Sequence, residues 1–347
     1  MTMVDIRRVD LENTSQRDGW DSYVAAQESA TAFHRSAWGR AIQASMGHGV
    51  QYLAAFQGGE IVGILPLIHV KSRLFGNSLS SLSFAVYGGP VADTADIHAA
   101  LDEAAWSLAQ KLGISALEYR HKTQSRPDWT CKSETYATFR RTLLSTRDEN
   151  LKAIPRKQRA EVRKAMDKGL TVAIEKDADA HFTVYSESVR NLGTPVFPKK
   201  LFDALLHFYG PDADVLTVSK DGLPAASVLS LYHRNEVLPY YGGGTAAARE
   251  LRANDHMYFE LMNHAAELGC THFDFGRSKF GTGAFAFKKN WGFEAAPLYY
   301  EYRLADGASM PDINPNNPKY KMMVEVWQKL PLPIANWLGP KISRSLG

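Results

Sequence analysis

The stretch 273–294, FDFGRSKFGTGAFAFKKNWGFE, gathers the residue types best suited to chemistry. Phe273, Asp274 and Phe275 read as the end of a strand, and Gly276 breaks it. A polar loop with Arg277, Ser278, Lys279, Gly281, Thr282 and Gly283 follows. A second strand is expected from Phe285, carrying Lys288 and Lys289 before Trp291-Gly292-Phe293. Glycine permits positive φ and close backbone approach, while Arg and Lys donate to an anionic or carbonyl oxygen. The combination suits the floor of an active site. Asp274 has two readings: it accepts a proton from an attacking amine or orients Arg277, or it caps the loop through backbone amides. Upstream, Tyr240 and Tyr241 precede Gly242-Gly243-Gly244, whose amides are placed to meet a carbonyl or phosphate; plain packing at a strand end is the alternative.

Other chemistries find no support. The eleven histidines show no HExxH, and neither a GxSxG elbow nor a Walker loop occurs. No metal site is expected. Direct attack by an acceptor amine or hydroxyl on an activated acyl group fits better than a covalent intermediate.

The elements that must position this stretch follow from periodicity. The segment 51–56 reads as a strand, Gln57-Gly58-Gly59-Glu60 as a hairpin turn and 61–70 as the partner strand, with a basic loop KSRLFGNS after it. A strand is expected over 83–87. A helix with Leu101, Ala104, Ala105, Leu108 and Leu112 on one face ends at Gly113, and a strand over 114–119 follows. The second half repeats this order: a turn at Lys220-Asp221-Gly222, the string LPYYGGGT against FAVYGGPV, then a helix carrying Tyr258, Leu261, Met262, Ala265 and Ala266 that ends at Gly269. The spacing is 25 residues from Gly88 to Gly113 and 27 from Gly242 to Gly269, the mark of an internal duplication.

Composition sets the outer limits. The 347 residues suffice for two domains, and 45% apolar with 22% charged residues is ordinary for a globular protein. A net charge of +3 is too small to imply nucleic acid on its own, and DNA is not an expected partner. Two cysteines without a CxxC, and a start MTMVDIRRVD without the apolar core of a signal peptide, fit a cytoplasmic setting. The longest apolar stretch, 61–70, contains Pro66 and His69 and is shorter than the roughly 18 residues a membrane span needs.

The wording of 273–294 resembles the FemAB family, most specifically in FDFGRS and GTGAFAFKKNWGF. Within that family it is similar to the group associated with exosortase/PEP-CTERM and exopolysaccharide loci. The resemblance covers most of the chain. It implies an α/β (α+β) fold of two tandem GNAT-like domains with mixed sheets: domain one over 1–145, domain two over 146–310, and a tail over 311–347 that packs back on domain one. Domain one reads as a degenerate copy, because VYGGP and LEYRHK lack the Gly-rich, lysine-bearing loop.

The resemblance also implies a function. It points to acyl or aminoacyl transfer that forms an amide on a cell-envelope, peptidoglycan or exopolysaccharide precursor. Aminoacyl-tRNA or acyl-CoA would be the donor, with no tightly bound cofactor. Phe287-Lys288 match a Phe-Lys pair at the family's reaction centre, so Lys288 is expected to stabilise the oxyanion, an effect worth about 3–4 kcal/mol per donor. A solvated strand lysine is the alternative, and Lys289 is expected on the opposite face. Asp274 and Tyr241 complete the catalytic set. Phe287, Arg277, Ser278, Gly281, Thr282 and Tyr240 line the substrate groove. A CoA-binding GNAT carries a Q/R-x-x-G-x-G/A loop that opens a helix. Here 277–283 has one residue too many, and GGGTAAARELRANDH departs from the pattern while offering Arg249, Arg252 and Asn254 to phosphate. The rival reading is a non-catalytic protein that holds a polysaccharide precursor or scaffolds its assembly.

Two further segments carry charge. The connection 145–170 is expected to be helical with a break near Pro155, and Lys152, Arg156, Arg159 and Arg163 fall along one stripe. A tRNA acceptor arm, a nucleotide-linked sugar or a lipid headgroup suits it, as does plain solvation. The tail alternates Met322, Met323, Val326 and Trp327 with Lys319, Lys321 and Lys329. Docking on domain one is the preferred account, and peripheral contact with the inner membrane the second.

Overall fold

A computed structural model describes residues 4–72, 76–310 and 318–346, with side chains in the last segment from 322 onward. The middle of the expected basic loop and the start of the tail lie outside the described residues. The chain forms two compact units. Met1–Thr135, Pro297–Ile313 and Ser345–Gly347 make the first, and Tyr136–Ala296 with Asn314–Arg344 make the second. The boundaries expected at 145 and 310 therefore shift, and the basic connection lies within the second unit.

In chain order the first unit contributes β1 (Asp5–Val9), α1 (Thr14–Ala26), α2 (Ser36–Met46), β2 (Gly49–Gln57), β3 (Glu60–Ser72) and β4 (Gly76–Ser81). It continues with β5 (Val91–Ala92), α3 (Ala95–Lys111), β6 (Ala116–His121) and β7 (Thr130–Lys132). The second unit begins with β8 (Tyr136–Thr142), α4 (Arg147–Ala153), α5 (Arg156–Met166), β9 (Thr171–Glu175), α6 (Asp179–Asn191) and α7 (Lys199–Tyr209). It goes on with β10 (Ala213–Lys220), β11 (Leu223–His233), β12 (Glu236–Gly244), α8 (Ala248–Leu251), α9 (Ala253–Glu267) and β13 (His272–Asp274). Then come β14 (Ser278–Lys279), α10 (Gly283–Asn290) and β15 (Ala295–Pro297). The strand β16 (Tyr299–Leu304) belongs to the first unit, and α11 (Pro318–Gln328) and α12 (Leu332–Ser343) to the second.

The first sheet runs β1-β2-β3-β4-β6-β16-β7, with β5 on β3; the second runs β14-β8-β13-β12-β11-β10-β9, with β15 on β8. In each, one parallel pair is joined through a helix: β4 and β6 through α3, β12 and β13 through α9. All the other strand pairs with a described register are antiparallel. The duplication read from the glycine spacing is thus a repeated topology. Two-residue turns with positive φ set the hairpins, Gly58-Gly59 between β2 and β3 and Asp221-Gly222 between β10 and β11. The helical stripes do the rest. Leu101, Ala105 and Ala109 of α3 pack on Leu53, Leu65 and Leu117, and Met257, Leu261 and Ala265 of α9 pack on Leu216 and Val228.

Three expectations change. The strand expected over 83–87 is a loop, and the strand of that position is the polar GNSLSS of β4, which includes the end of the expected basic loop. The loop folds back tightly: Gly88 N donates to Arg120 O at 2.8 Å, and a Cβ on Gly88 would stand 2.1 Å from Ser81 O. The strand expected from Phe285 is helix α10, because Thr282 caps it by accepting from Phe285 N. The tail packs on the second unit, where Asn336 Nδ2 donates to Ser186 Oγ and Ser343 Oγ to Val196 O. Among the described residues no helix is long and apolar enough to cross a membrane.

One buried carboxylate organises the first unit. Glu301 of β16 is fully buried and accepts from Ser125 N (2.8 Å), Ser125 Oγ (2.9 Å) and Arg126 N (2.8 Å). Arg126 in turn pairs with Asp102 of α3. Burial, with Arg126 adding to it, holds the neighbouring His121 down to about 3, so its ring stays neutral. Glu301→Gln keeps an oxygen for the two backbone amides but sets an uncharged NH2 against the Ser125 hydroxyl and the Arg126 guanidinium, and we expect a loss of about 2 kcal/mol in unfolding free energy, read from the denaturant midpoint. An unchanged midpoint would show that this loop does not depend on the carboxylate.

Candidate active site

The second sheet opens at one place. The parallel strands β12 and β13 pair only at Glu236 with His272 and Val237 with Phe273. Beyond that, β12 continues along β11 to Gly244, while β13 stops at Asp274 and the chain turns at Gly276, whose φ is 63°. The two strands diverge because β13 is held on its other side by β8, with Phe273 opposite Arg141 and Asp274 opposite Arg140. The β11–β12 ladder also slips here: Leu229 faces Tyr241 and Ser230 faces Pro239, which leaves Tyr240 as the extra residue of a bulge. Bulges re-aim side chains beside functional openings.

On the β12 side, Tyr241 is buried among Tyr185, Phe197, Phe202 and Tyr240, with ring centres 4.6–5.8 Å away. Its hydroxyl has no hydrogen-bond partner. Burial, then the neighbouring tyrosines, pushes its pKa well up, so the O–H is a permanent donor.

On the β13 side, Lys288 reaches from α10 back to the loop. Its Nζ donates to the carbonyls of Phe275 (2.6 Å), Gly276 (3.1 Å) and Arg277 (3.0 Å), with the rings of Phe139 and Phe275 5.4 and 5.7 Å away. Burial pushes its pKa down to about 7, Asp274 opposing the fall and Arg277 adding to it. Three carbonyls are satisfied only by an ammonium, since a neutral amine has two N–H groups and a lone pair. Asp274 is fully buried, and its Oδ1 accepts from Gly276 N at 2.7 Å and Thr138 Oγ1 at 3.2 Å. The loop-capping reading of Asp274 thus has direct geometric support. Asp274 and Lys288 grip the same turn from two sides.

Residues 156–289 match the family model described as acetyltransferase (GNAT) domain. Among solved structures, FemX matches with a TM-score of 0.65 at 16% identity, over 92% of this chain and 100% of that one. A tandem GNAT protein from the clavulanic acid biosynthesis pathway gives 0.58 at 13% identity, over 89% and 100%. The fold is two GNAT-like domains in tandem. A stretch of 79 residues is 32% identical to the lipid II:glycine glycyltransferase of Staphylococcus epidermidis, over 21% of this chain. That match spans 19% of the relative's length, about a fifth. These similarities agree with the FemAB resemblance of the motif; an exosortase association is not among them.

Within this GNAT-like domain the remaining expected site residues divide. Ser278 Oγ is buried and has no hydrogen-bond partner. The Arg277 guanidinium lies 4.9 Å from the Tyr136 ring centre. Phe287 is half-buried against Tyr258 and Trp291, so it packs on the core. Thr282 is engaged as the cap of α10, its hydroxyl donating to Lys279 O at 2.8 Å, and Gly281 (φ 75°) supplies the exposed turn before it. Lys289 is exposed, about a quarter-turn round the helix from Lys288 instead of opposite it.

The basic stripe is also divided. Arg159 bends back to donate to the carbonyls of Ile154 and Lys152, closing the end of α4, while Arg156 is exposed at the start of α5. Lys152 pairs with Asp148.

The turn after β12 is where a GNAT-like domain would meet the pyrophosphate of CoA, and its residues do not fit that group. Gly244 N donates to Ser188 Oγ (3.3 Å), Thr245 N to Ala225 O (2.8 Å) and Ala246 N to the Glu187 carboxylate (2.7 Å). Arg252 pairs with Glu161, and Asp255 stands in the first turn of α9, its pKa raised to about 6 chiefly by burial and then by Glu161. The amides of 244–246 are spent, one of them on the Glu187 carboxylate. The three glycines are instead required by packing, since a Cβ on Gly243 would stand 2.4 Å from Ser188 Oγ and one on Gly242 2.9 Å from the Tyr258 hydroxyl. Glu187 and Ser188 escaped sequence reasoning because they lie on α6, more than fifty residues before the turn they occupy, and no local spacing marks them.

Proposed function

We propose that this chain is an acyltransferase that moves an aminoacyl group from aminoacyl-tRNA to an amine of a cell-envelope precursor. The observations that carry the reading are the parting of β12 and β13 and two buried hydroxyls without partners, Tyr241 on β12 and Ser278 on β14. Buried polar groups without partners call for an explanation, and a bound carbonyl supplies one. In the reaction the acceptor nitrogen forms a bond to the acyl carbon, and negative charge develops on the carbonyl oxygen. The ester C–O bond then breaks, and the leaving ribose hydroxyl takes up the proton that the amine gives up. Tyr241 donates to the developing oxyanion. Lys288 places a positive charge beside it and, with Asp274, fixes the loop whose backbone faces the opening. Arg277, Ser278 and Tyr240 orient the substrates.

The occupied turn after β12 supports aminoacyl-tRNA over acyl-CoA as donor. Exposed Arg156 with Lys157 and Lys164 supplies a basic surface for an acceptor arm. For the acceptor, the relative named lipid II:glycine glycyltransferase supports a peptidoglycan precursor, and the PEP-CTERM resemblance of the motif adds an exopolysaccharide precursor as a second candidate.

The test is single-turnover transfer from radiolabelled aminoacyl-tRNA to an amine-bearing muropeptide precursor or, separately, an amino-sugar polysaccharide precursor. Acetyl-CoA is run in parallel. We expect label to pass from tRNA and acetyl-CoA to remain intact. Discharge of acetyl-CoA alone would overturn the donor assignment. Precursor binding without discharge of either donor would make the chain a non-catalytic holder, in which Lys288 serves only to brace its loop.

A further inference from the structure

Helices α11 and α12 each pack on the second unit by one face and present apolar side chains on another. On α12 the packed face is Ala335, Gly339 and Ser343, spaced four apart. A Cβ on Gly339 would stand 2.9 Å from Val196, and Ser343 Oγ donates to Val196 O at 2.9 Å. Ile334, Trp337 and Lys341 occupy the opposite face; Trp337 is 64% exposed, with Lys341 Nζ 3.4 Å from its ring centre. On α11, Val324 packs against Gly193, while Met322, Met323 and Val326 are 61%, 62% and 58% exposed. Five of the twelve exposed large apolar residues of the described chain thus fall within 322–337.

So dense an apolar run on a surface marks a contact. The charges around it indicate the occupant. Over 322–346 the sequence has Lys329, Lys341 and Arg344 against a single carboxylate, Glu325. An anionic lipid surface uses both features at once: Met, Val and Ile enter the headgroup–acyl boundary, Trp settles at the interface, and the cations meet lipid phosphates. Helices of 11 and 12 residues are too short to span, so they lie on the surface.

We propose that α11 and α12 are a membrane-surface contact that seats the second unit on an anionic bilayer. The proposal goes beyond the transfer reading and does not depend on it, since transfer to a water-soluble acceptor would proceed without the contact.

The experiment is flotation of the full chain with vesicles of phosphatidylcholine alone or mixed with phosphatidylglycerol. Binding to the mixed vesicles is expected, weaker by roughly tenfold on the neutral ones and in high salt. A Met323→Ser, Trp337→Ala double variant is expected to lose about tenfold in affinity while its thermal unfolding stays unchanged, because both side chains are exposed. A Lys329→Glu, Lys341→Glu variant is expected to lose the preference for phosphatidylglycerol. Absence of flotation with mixed vesicles, or equal flotation of the double variant, would overturn the proposal. So would a dimer in sedimentation velocity that the double variant dissolves, since that would assign the face to a second copy of the chain.

Discussion

Lys288→Ala is expected to lower the single-turnover transfer rate by about 10²–10³-fold, the cost of losing a fixed positive charge beside the developing oxyanion together with the brace on its loop. The alanine removes both the charge beside the opening and the bonds to the carbonyls of 275–277, so the rate alone does not separate them. The pH profile does. With the Lys288 pKa at about 7, the ammonium is lost as pH rises through that value, and the wild-type rate is expected to fall on the alkaline side. Lys288→Arg keeps a charge at every accessible pH, so it is expected to be slower but to lack that alkaline limb. Stability responds with the opposite sign. The folded pKa lies below the ordinary value of 10.5, so between about 7 and 10.5 the unfolded chain binds more protons, and the wild type gains on Lys288→Met as pH rises. An alkaline limb that persists in Lys288→Arg, or a Lys288→Ala enzyme at full rate, would remove Lys288 from the chemistry.

How far the sequence could reveal this site depended on the range of the forces involved. Gly58-Gly59 and Asp221-Gly222 fix their hairpins through their own backbone angles, and the stripes of α3 and α9 repeat at helical spacing, so these elements are legible within a dozen residues. The duplication is legible for the same reason, since Leu112-Gly113 and Leu268-Gly269 end equivalent helices. The stretch 284–287 is not, because Ala-Phe-Ala-Phe alternates like a strand. What makes it a helix is the Thr282 cap and the seat Phe285 finds 5.2 Å from Phe139, a contact across more than a hundred residues. Polar GNSLSS hid β4, and apolar FAVY imitated a strand that the close approach of Gly88 to Ser81 forbids. In the tail, Ala335, Gly339 and Ser343 announce a tightly packed face, but the surface they meet, around Val196, carries no matching signal in sequence. Arg159 fell on a basic stripe, yet Pro155 turns the chain so that the guanidinium closes α4 instead of facing a ligand.

Tyr241→Phe is expected to move stability and activity in opposite directions. In the unliganded chain the Tyr241 hydroxyl is buried without a partner, so it contributes a desolvation cost and no compensating bond. Removing it while keeping the ring preserves the contacts with Tyr185, Phe197 and Phe202 and is expected to stabilise the fold by about 1 kcal/mol. The same hydroxyl belongs to β12, one of the two strands that part, and if it donates to the developing oxyanion its loss costs about 10²-fold in rate with little change in acceptor affinity. A purely structural tyrosine would lose stability and activity together, and an idle one would gain the same stability at an unchanged rate. A phenylalanine variant that is both more stable and slower therefore identifies a donor held unpaired for the transition state. A variant that transfers at the wild-type rate would return the oxyanion to Lys288 and the loop it braces.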